Sequence, residues 1–324
     1  MLAENENPEP VAREILERIR AGARLVNRYP YEAEARVLKK LAMYFQCPEE
    51  NMVLVRGIDE AFDRLSHEFP GMRYAAAWPG FHGYINRIQV HGYRYLQIRL
   101  TDGFALEPAD LEKLSTADFV FLADPSNPTG RPLSAAEHML IRKRAGKVLI
   151  DETYADYAGS DGGCPKFGGN EFVFRSFSKS FGLAGARLGM VFGDEAALAR
   201  VRSKQWYCNV GVLDLCALEA AIENDFLRKR HIERTVSERE RMNKVMQNLR
   251  FCIYPSAANF ILMQDDKKNS IETFLLNRSI VVRNTARFGL SNHVRISVGL
   301  PAENDRLLEA LAEYAAAHGG AHVA

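Results

Sequence analysis

Short apolar segments alternate with helix-like segments between residues 52 and 203, and this alternation limits the possible folds more than any other feature of the sequence. The apolar segments have the length of strands, and turn residues follow most of them. Strands separated by helices are typical of an α/β fold, with a mainly parallel sheet sandwiched by helices. The predicted strands are 52–55, 74–78, 95–100, 119–123, 147–150, 172–175 and 188–192, and the helices among them are 61–67, 108–113, 135–144 and 195–203.

The two ends of the chain follow other patterns. Apolar stripes at helical spacing predict helices at 10–21 and 32–45. Beyond about Asn209, a charged helical stretch is followed by short strands and helices, which predicts a second, smaller α/β unit. Its predicted elements are the helical stretch 213–248, strands at 251–254, 259–263, 280–283 and 294–298, and helices at 270–277 and 302–317. We therefore predict an N-terminal arm and helix (1–30), a large domain (31–210) and a small domain (211–324).

The charge balance argues against several classes of partner. The chain carries 42 basic and 41 acidic residues, a net charge of +1, which gives no electrostatic reason to expect nucleic acid or a membrane surface. No apolar run has the length of a membrane span. The acidic first residues lack the basic and apolar regions of a signal peptide, so we expect a cytoplasmic protein.

The cysteines and histidines predict neither a disulfide framework nor a metal site. The five cysteines are odd in number and widely spaced, which favours reduced thiols. The eight histidines are scattered and show no metal-ligand spacing. We therefore expect no bound metal.

One lysine stands among serines and glycines in the segment Ser-Phe-Ser-Lys-Ser-Phe-Gly-Leu-Ala-Gly-Ala-Arg-Leu-Gly, residues 176–189. The hydroxyls of Ser176 and Ser178 and the guanidinium of Arg187 can hold a phosphate. The amine of Lys179 can form an imine with an aldehyde. This combination suits pyridoxal phosphate, although the segment alone also fits a Ser/Gly-rich loop with a solvated lysine.

Other polar stretches come at the ends of predicted strands, where sites form in parallel sheets. Asp151 offers a carboxylate that can keep a pyridine nitrogen protonated. Asn127 and Tyr154 offer hydrogen bonds to a phenolic oxygen, and Phe81 offers an aromatic face for a ring. The Gly57 turn before the helix at 61–67 can bind an anion. Each stretch alone also fits an ordinary turn, helix cap or aromatic rim.

These motifs resemble the fold-type I pyridoxal-phosphate enzymes of the class I/II aminotransferase superfamily. Residues 176–189 match its signature Ser-x-Ser-Lys-x-x-x-x-x-Gly-x-Arg-x-Gly, and Ser-Asn-Pro-Thr-Gly at 126–130 and Asp-Glu-x-Tyr at 151–154 follow its other two hallmarks in order. The nearest resemblance is to histidinol-phosphate aminotransferase and threonine-phosphate decarboxylase. It covers the chain to about residue 316, and the segments that carry it are 5–8, 28–30, 57–60, 258–260 and 295–299.

The resemblance implies an aminotransferase that binds pyridoxal phosphate and works by a ping-pong mechanism on an amino donor and a 2-oxo acid. It implies catalytic roles for Lys179, Asp151 and Tyr154. The implied cofactor-binding residues are Ile58, Asp59, Phe81, Asn127, Asp151, Tyr154, Ser176, Ser178, Lys179, Arg187 and, from a partner subunit, Tyr29. The implied substrate-binding residues are Arg295, Asn259, Arg283 and Tyr207. The role of Tyr29 implies a homodimer.

Several departures from the family pattern leave the substrate open. They affect the pocket rather than the cofactor, and they are Arg56 and Ile58 beside Gly57, Gly80-Phe81, Trp206, Cys208 and a short connection at 157–170. A decarboxylase of the threonine-phosphate decarboxylase type is one alternative. A non-catalytic module that binds pyridoxal phosphate, as in some transcription regulators, is another. The intact Lys179 argues against the second.

Overall fold

The structure is a computed structural model, and it describes residues 1–68, 73–160, 162–204, 207–265 and 270–318. The α-helices in these ranges are α1 (Arg13–Gly22), α2 (Tyr31–Phe45), α3 (Gly57–His67), α4 (His82–Val90), α5 (Glu112–Thr116), α6 (Ala135–Arg144), α7 (Glu195–Ser203), α8 (Val212–Glu223), α9 (Asp225–Asn248), α10 (Ser270–Leu276) and α11 (Pro301–Ala317). The strands are β1 (Met52–Val55), β2 (Arg73–Trp78), β3 (Arg94–Arg99), β4 (Phe119–Ala123), β5 (Val148–Asp151), β6 (Glu171–Ser176), β7 (Gly189–Gly193), β8 (Ile253–Tyr254), β9 (Phe260–Gln264), β10 (Arg283–Asn284) and β11 (His293–Ser297).

The larger sheet has seven strands in the order β1-β7-β6-β5-β4-β2-β3. Strands β6, β5, β4, β2 and β3 run parallel, whereas β7 is antiparallel to both β1 and β6. The predicted α/β fold with a mainly parallel sheet is therefore confirmed. Strands β5 and β7 are buried throughout, which explains their almost continuous apolar sequences.

Helices cover both faces of this sheet. On one face, Phe62 of α3, Ile88 of α4 and Leu198 of α7 belong to the same apolar core. On the other face, α2 and α8 pack against β1, β6 and β7, while Ile141 of α6 packs against β4 and β5. The carboxyl ends of the parallel strands remain between these layers as the place where a ligand can bind.

The second sheet has four antiparallel strands in the order β10-β11-β9-β8. Helices α9, α10 and α11 pack on it around Met246 and Leu275. Leu2 belongs to the same core, because its N–H donates to Val281 O (2.8 Å) and its carbonyl accepts from Ser297 N (2.9 Å). The beginning of the chain is therefore fixed to a sheet formed by its last third.

The helical stretch predicted at 213–248 is two helices, α8 and α9. Asn224 stands between them with φ −114° and ψ 39°, outside helical geometry. Its side-chain amide donates to Ala220 O (2.8 Å), four residues earlier. Asparagine competes in this way for backbone groups, and it ends the first helix.

Further elements differ from the prediction. The strand predicted at 280–283 is reduced to the two residues of β10. The helix predicted at 108–113 is a 3₁₀ turn at Pro108–Asp110 followed by α5. The sequence pattern does not predict α4, because only Tyr84 and Ile88 of its residues are buried. Such a short apolar stripe gives too weak a periodicity.

Cys47 and Cys164 lie together and are paired, with Cα atoms 5.2 Å apart. The prediction of separate thiols is therefore wrong for these two residues. The end of α2 meets the connection between β5 and β6 there, a contact between positions 117 residues apart that spacing alone does not reveal. Cys208, Cys216 and Cys252 are free.

None of the described helices combines the length and apolar character needed to cross a membrane. The described ranges also contain no group of three or more His, Cys, Asp or Glu side chains suited to hold a metal ion. The predicted domain boundaries near residues 30 and 210 stay a prediction.

Candidate active site

A cleft of about 660 Å³ lies between the carboxyl ends of the parallel strands and the second sheet. Residues 4–6 form part of its wall. The predicted site residues that line it are Ile58, Asp59, Phe81, Asn127, Asp151, Tyr154, Ser176, Ser178, Lys179, Arg187, Arg283 and Arg295. The fold thus brings together residues that are spread over more than 230 positions of the sequence.

Asp151 is the last residue of β5, and its carboxylate is buried, with hydrogen bonds to both oxygens. One oxygen accepts from Thr153 N (3.0 Å) and Thr153 Oγ1 (2.5 Å), and the other accepts from Tyr84 OH (2.5 Å). Burial raises the pKa of Asp151, and the hydrogen bonds from Thr153 and Tyr84 oppose this shift. The carboxylate is therefore held in one orientation at the end of the strand.

Lys179 extends into the cleft from the loop after β6. Its Nζ donates to the carbonyl of Glu4 at 2.9 Å. Burial lowers the pKa of Lys179 to about 8, and the nearby charge of Arg295 adds to this effect. About a tenth of the amine is therefore unprotonated at pH 7, far more than for a lysine of ordinary pKa, and the unprotonated form is the nucleophile or general base.

The N-terminus of α3 and Arg187 face each other across a small space. Gly57 has φ +77°, and a Cβ at this position would lie 3.2 Å from Arg187 Nη2. No side chain of the described residues caps α3, so the first N–H groups, among them those of Ile58 and Asp59, are not taken by a capping residue. Within the same described ranges, the hydrogen bonding of Arg187 is limited to a long contact with Ala184 O (3.5 Å). Helix N–H groups and a guanidinium form a seat for an anion.

Ser176 and Ser178 lie beside this anion seat and line the same cleft. The Oγ of Ser176 accepts from Ser178 N (3.1 Å), so its hydrogen is available for a second partner. The space between α3, the two serines and Arg187 suits a phosphate.

Arg295 projects from β11 into the opposite side of the cleft and is almost fully buried. Its Nη1 donates to Asn127 Oδ1 and its Nη2 to Ala3 O, both at 2.6 Å. The Oδ1 of Asn127 accepts this hydrogen bond. The amide can therefore donate a hydrogen bond to a ligand in the cleft through Nδ2. Burial lowers the pKa of Arg295 to about 10, so the side chain stays charged at neutral pH.

Residues 2–5, here called the arm, cross the cleft and join the two sheets. Asn5 donates from Nδ2 to Tyr154 OH (3.0 Å), and its N–H donates to Ser297 Oγ (2.9 Å). The Nδ2 of Asn259 donates to Asn5 O (3.0 Å). Tyr154 is thereby positioned by the arm, with its own hydroxyl hydrogen available to the cleft.

Phe81 and His82 form the aromatic part of the wall. Phe81 packs edge-on against Tyr84 with ring centroids 5.2 Å apart. His82 packs edge-on against Phe288 at 4.9 Å, and its buried Nδ1 has no hydrogen-bond partner among the described residues. Burial lowers the pKa of His82, as do the charges of Arg287 and Arg295. A ring ligand beside these side chains would meet mainly their apolar faces.

Three predicted site residues lie outside the cleft of this chain. Tyr29 and Tyr207 are 75% and 79% exposed, and the rings of both pack against that of Tyr31 in tilted geometry. Asn259 is buried beneath the arm, where it binds Asn5 rather than the cleft. Their roles stay predictions, and Trp206 lies outside the described residues.

Sequence reasoning missed Tyr84, Thr153 and Asn5. Tyr84 and Thr153 hold Asp151, and Asn5 holds Tyr154. Thr153 is two residues after Asp151 and could have been found as a short Asx-type turn. Tyr84 and Asn5 are 67 and 149 residues from their partners, so no local signal identifies them.

The family model for aminotransferase class I and II matches residues 1–311. The chain belongs to the class I and II aminotransferase family. Histidinol-phosphate aminotransferase from Thermococcus gammatolerans is 34% identical over 319 residues, which cover 97% of this chain and 91% of that protein.

Two solved structures are also similar. A Burkholderia pseudomallei structure, described as an aminotransferase, is 52% identical with a TM-score of 0.94, and the match covers 97% of this chain and 98% of that one. A histidinol-phosphate aminotransferase from Sinorhizobium meliloti, solved in complex with pyridoxal-5'-phosphate, shares the fold at 23% identity with a TM-score of 0.88, covering 98% of this chain and 91% of that one.

The cofactor of this family is pyridoxal phosphate, and the cleft fits it. The anion seat at α3 and Arg187 matches a phosphate, and the open Gly57 position leaves room for one. At a distance along the same cleft, the buried Asp151 carboxylate suits a basic ring nitrogen. Lys179 supplies the amine for an aldehyde. The donors and acceptors of the site therefore match the chemical groups of the cofactor.

Proposed function

We propose that this aminotransferase moves an amino group between an amino acid, or an amino phosphate, and a 2-oxo acid in the cleft described above, by a ping-pong mechanism. One observation carries the proposal. A lysine whose pKa is lowered to about 8 shares a cleft with a buried carboxylate, an anion seat and the buried Arg295. This set provides a base, a partner for the cofactor ring and a carboxylate receptor together.

Each of the residues has a distinct task. When bound, pyridoxal phosphate supplies an electron sink for the charge that develops as the substrate loses its α-proton. The Nζ of Lys179 takes this proton and returns it as general base and then acid. Asp151 would hold a proton at the ring nitrogen of the bound cofactor. Tyr154 and Asn127 would donate hydrogen bonds to its phenolic oxygen, and Phe81 would offer an aromatic face to its ring.

The phosphate and substrate ends of the cleft hold fixed charges. We assign the phosphate to the N–H groups of Ile58 and Asp59, the hydroxyls of Ser176 and Ser178, and Arg187. We assign the substrate carboxylate to Arg295, whose planar fork binds a carboxylate through two hydrogen bonds. Substrate has to compete there with the carbonyl of Ala3, which now accepts from Nη2.

Histidinol phosphate is the first candidate for the amino donor. The support is the similarity to the archaeal enzyme and the presence of Arg283 and Arg287 in the cleft, which suit a second anionic group. The altered pocket positions Arg56, Ile58 and Trp206 also make an aromatic or basic amino acid a reasonable donor. The substrate-binding roles of Asn259 and Tyr207 belong to this proposal.

We further propose a cytoplasmic homodimer in which Tyr29 reaches the cofactor phosphate of the partner subunit. An exposed aromatic cluster supports it, in which the ring centroids of Tyr29 and Tyr207 lie 5.9 and 5.1 Å from that of Tyr31. The neighbouring Leu25 and Val26 are 49% and 62% exposed. Burying such a patch against a second copy is favourable. Light scattering should give twice the mass of one chain, and Tyr29→Ala should weaken cofactor binding.

A half-reaction screen tests the reaction. Purified holoprotein is mixed with single amino acids and with histidinol phosphate, while the absorbance of the cofactor and the release of carbon dioxide are followed. A true donor should shift the spectrum to that of the aminated cofactor without releasing carbon dioxide. Carbon dioxide release would identify a decarboxylase, and a protein that takes up no cofactor would refute the proposal.

A further inference from the structure

The side chain of Glu4 is paired with Arg283, a cation at the substrate end of the cleft. Its carboxylate forms an ion pair with the guanidinium of Arg283. Arg283 also donates to Ala3 O (3.4 Å), and Ala3 O accepts from Arg295 Nη2 (2.6 Å). The carbonyl of Glu4 accepts from Lys179 (2.9 Å). One short stretch of the arm therefore contacts Arg283, Arg295 and Lys179.

The backbone of the arm and the side chain of Glu4 differ in how firmly they are held. Leu2 is bound to the second sheet, and Asn5 is bound to Ser297 and Tyr154. The backbone at Glu4 is thus fixed from both sides. Its side chain remains 51% exposed, and that of Arg283 is 34% exposed. An ion pair with this much solvent contact is weak, so the carboxylate can rotate away while the arm stays in place.

Arg283 lies near other positive charges, so a nearby anion stabilises its own charge. Arg295 lies close enough that the charge of Arg283 contributes to lowering its pKa, after burial as the main cause. Arg287 lines the same part of the cleft. In the absence of the Glu4 carboxylate, a substrate with an uncharged side chain would leave the charge of Arg283 uncompensated, whereas a substrate with an anionic side chain would compensate it. A ping-pong enzyme must accept two different substrates in one cleft, and these need not carry the same side-chain charge.

We infer that Glu4 is a displaceable internal anion for Arg283, and that it tunes the preference of the cleft between anionic and uncharged substrate side chains. This inference rests on the proposed function for its biological meaning, because it assumes that Arg283 faces the substrate. With an uncharged side chain in the cleft, Glu4 neutralises Arg283. An anionic side chain displaces Glu4 and takes its place. Glu4 is a specificity-determining residue in this scheme, and it takes no part in proton transfer.

The test compares two ligands of equal chain length that differ in one carboxylate. Dissociation constants of glutarate and pentanoate are measured by calorimetry with holoprotein, for the wild type, Glu4→Gln and Glu6→Gln. Glu6 also lines the cleft, so Glu6→Gln removes the same charge from the same segment without touching Arg283. We expect Glu4→Gln to bind glutarate about fivefold more tightly, as loss of a partly exposed competing ion pair implies. Pentanoate binding should stay constant or weaken, and Glu6→Gln should change the ratio of the two constants less than about twofold.

Three outcomes would overturn the inference. These are equal shifts for both ligands, equal effects of Glu4→Gln and Glu6→Gln, and no measurable binding of glutarate by any of the three proteins. The constants do not depend on turnover. A wild type that transfers no amino group from any donor would therefore refute the proposed reaction, while the binding ratio would still decide the role of Glu4.

Discussion

The two ends of the cleft are built in different ways. The cofactor end is defined here by Asp151, Lys179 and Arg187. Some of the residues that hold these side chains in place are near them in sequence, as Thr153 is to Asp151. At the substrate end, defined by Arg283, Arg295 and the arm, the contacts are long-range. Arg295 binds Asn127 across 168 positions and Ala3 across 292. The cofactor end thus combines local contacts with distant ones such as that of Tyr84, whereas the substrate end depends on how distant segments meet.

The largest loss is expected at the cofactor end, from Lys179→Ala. The substitution removes the amine that acts as the general base and that reacts with the aldehyde of the cofactor. We expect kcat to fall by at least about 10³-fold, within the range of the rate loss when a general base is removed. The anion seat at Arg187 is untouched, so equilibrium dialysis should still detect bound cofactor. Lys166→Ala is the matched control, because this lysine lies on the surface. Full activity in Lys179→Ala would show that another residue is the base.

At the substrate end, Arg295→Lys should act mainly through substrate affinity. A lysine keeps the charge but loses the planar fork, so kcat/KM should fall about 100-fold, largely through KM. Because Arg295 also donates to Asn127 Oδ1, the cofactor spectrum is recorded to detect any disturbance of Asn127. The control is Arg287→Lys, a more exposed arginine of the same cleft, for which we expect a smaller effect. A fall in kcat alone would contradict the separation of the two ends.

Tyr84→Phe tests the contribution of a hydrogen bond that a distant segment makes to Asp151 at the cofactor end. It removes the 2.5 Å hydrogen bond to Asp151. We expect kcat to fall about tenfold, the value of one hydrogen bond to a charged group. The control is Tyr95→Phe, which removes a hydroxyl bonded to Ala76 O at 3.4 Å, outside the cleft. Equal activities of the two variants would mean that Thr153 alone fixes Asp151.

The smallest effect concerns the pH dependence of cofactor uptake by the apoprotein. With the pKa of Lys179 lowered to about 8, the attacking amine is protonated below this pH and free above it. The rate of uptake should rise about fivefold between pH 7 and 8 and level off above pH 9, as a single titration requires. Stopped-flow absorbance measures it, with N-acetyl-lysine as the unperturbed reference.

Glu6 provides a check on this pH profile. Its charge raises the pKa of Lys179, so Glu6→Gln should move the midpoint to lower pH. A midpoint near that of N-acetyl-lysine in both proteins would show that Lys179 is not buried in solution.

The sequence predicts those parts of the structure that depend on residues close together along the chain. The parallel sheet follows from the apolar strands, and the cleft residues Asn127, Asp151 and Lys179 follow from motifs at strand ends. The break at Asn224 is missed because it depends on one side chain bonding to its own helix. The paired Cys47 and Cys164 are missed because their contact spans 117 positions.

The same reasoning explains what was missed at the site. Glu4 and Asn5 look like part of a polar tail, since nothing in residues 1–10 shows that Tyr154 and Arg283 are their partners. Tyr84 belongs to a helix too short to give a periodic signal. The positions of these side chains are determined by tertiary packing, which no local pattern contains.

The position of the arm also has a consequence for biosynthesis. Leu2 and Asn5 are made before their partners, because their hydrogen bonds are to residues between Tyr154 and Ser297. The chain must leave the ribosome as far as Ser297 before the arm finds its full set of partners. Nascent chains that have folded the large sheet would still carry an unattached arm. Closure of the active site would then be among the last events of folding, and limited proteolysis of the arm during synthesis could time it.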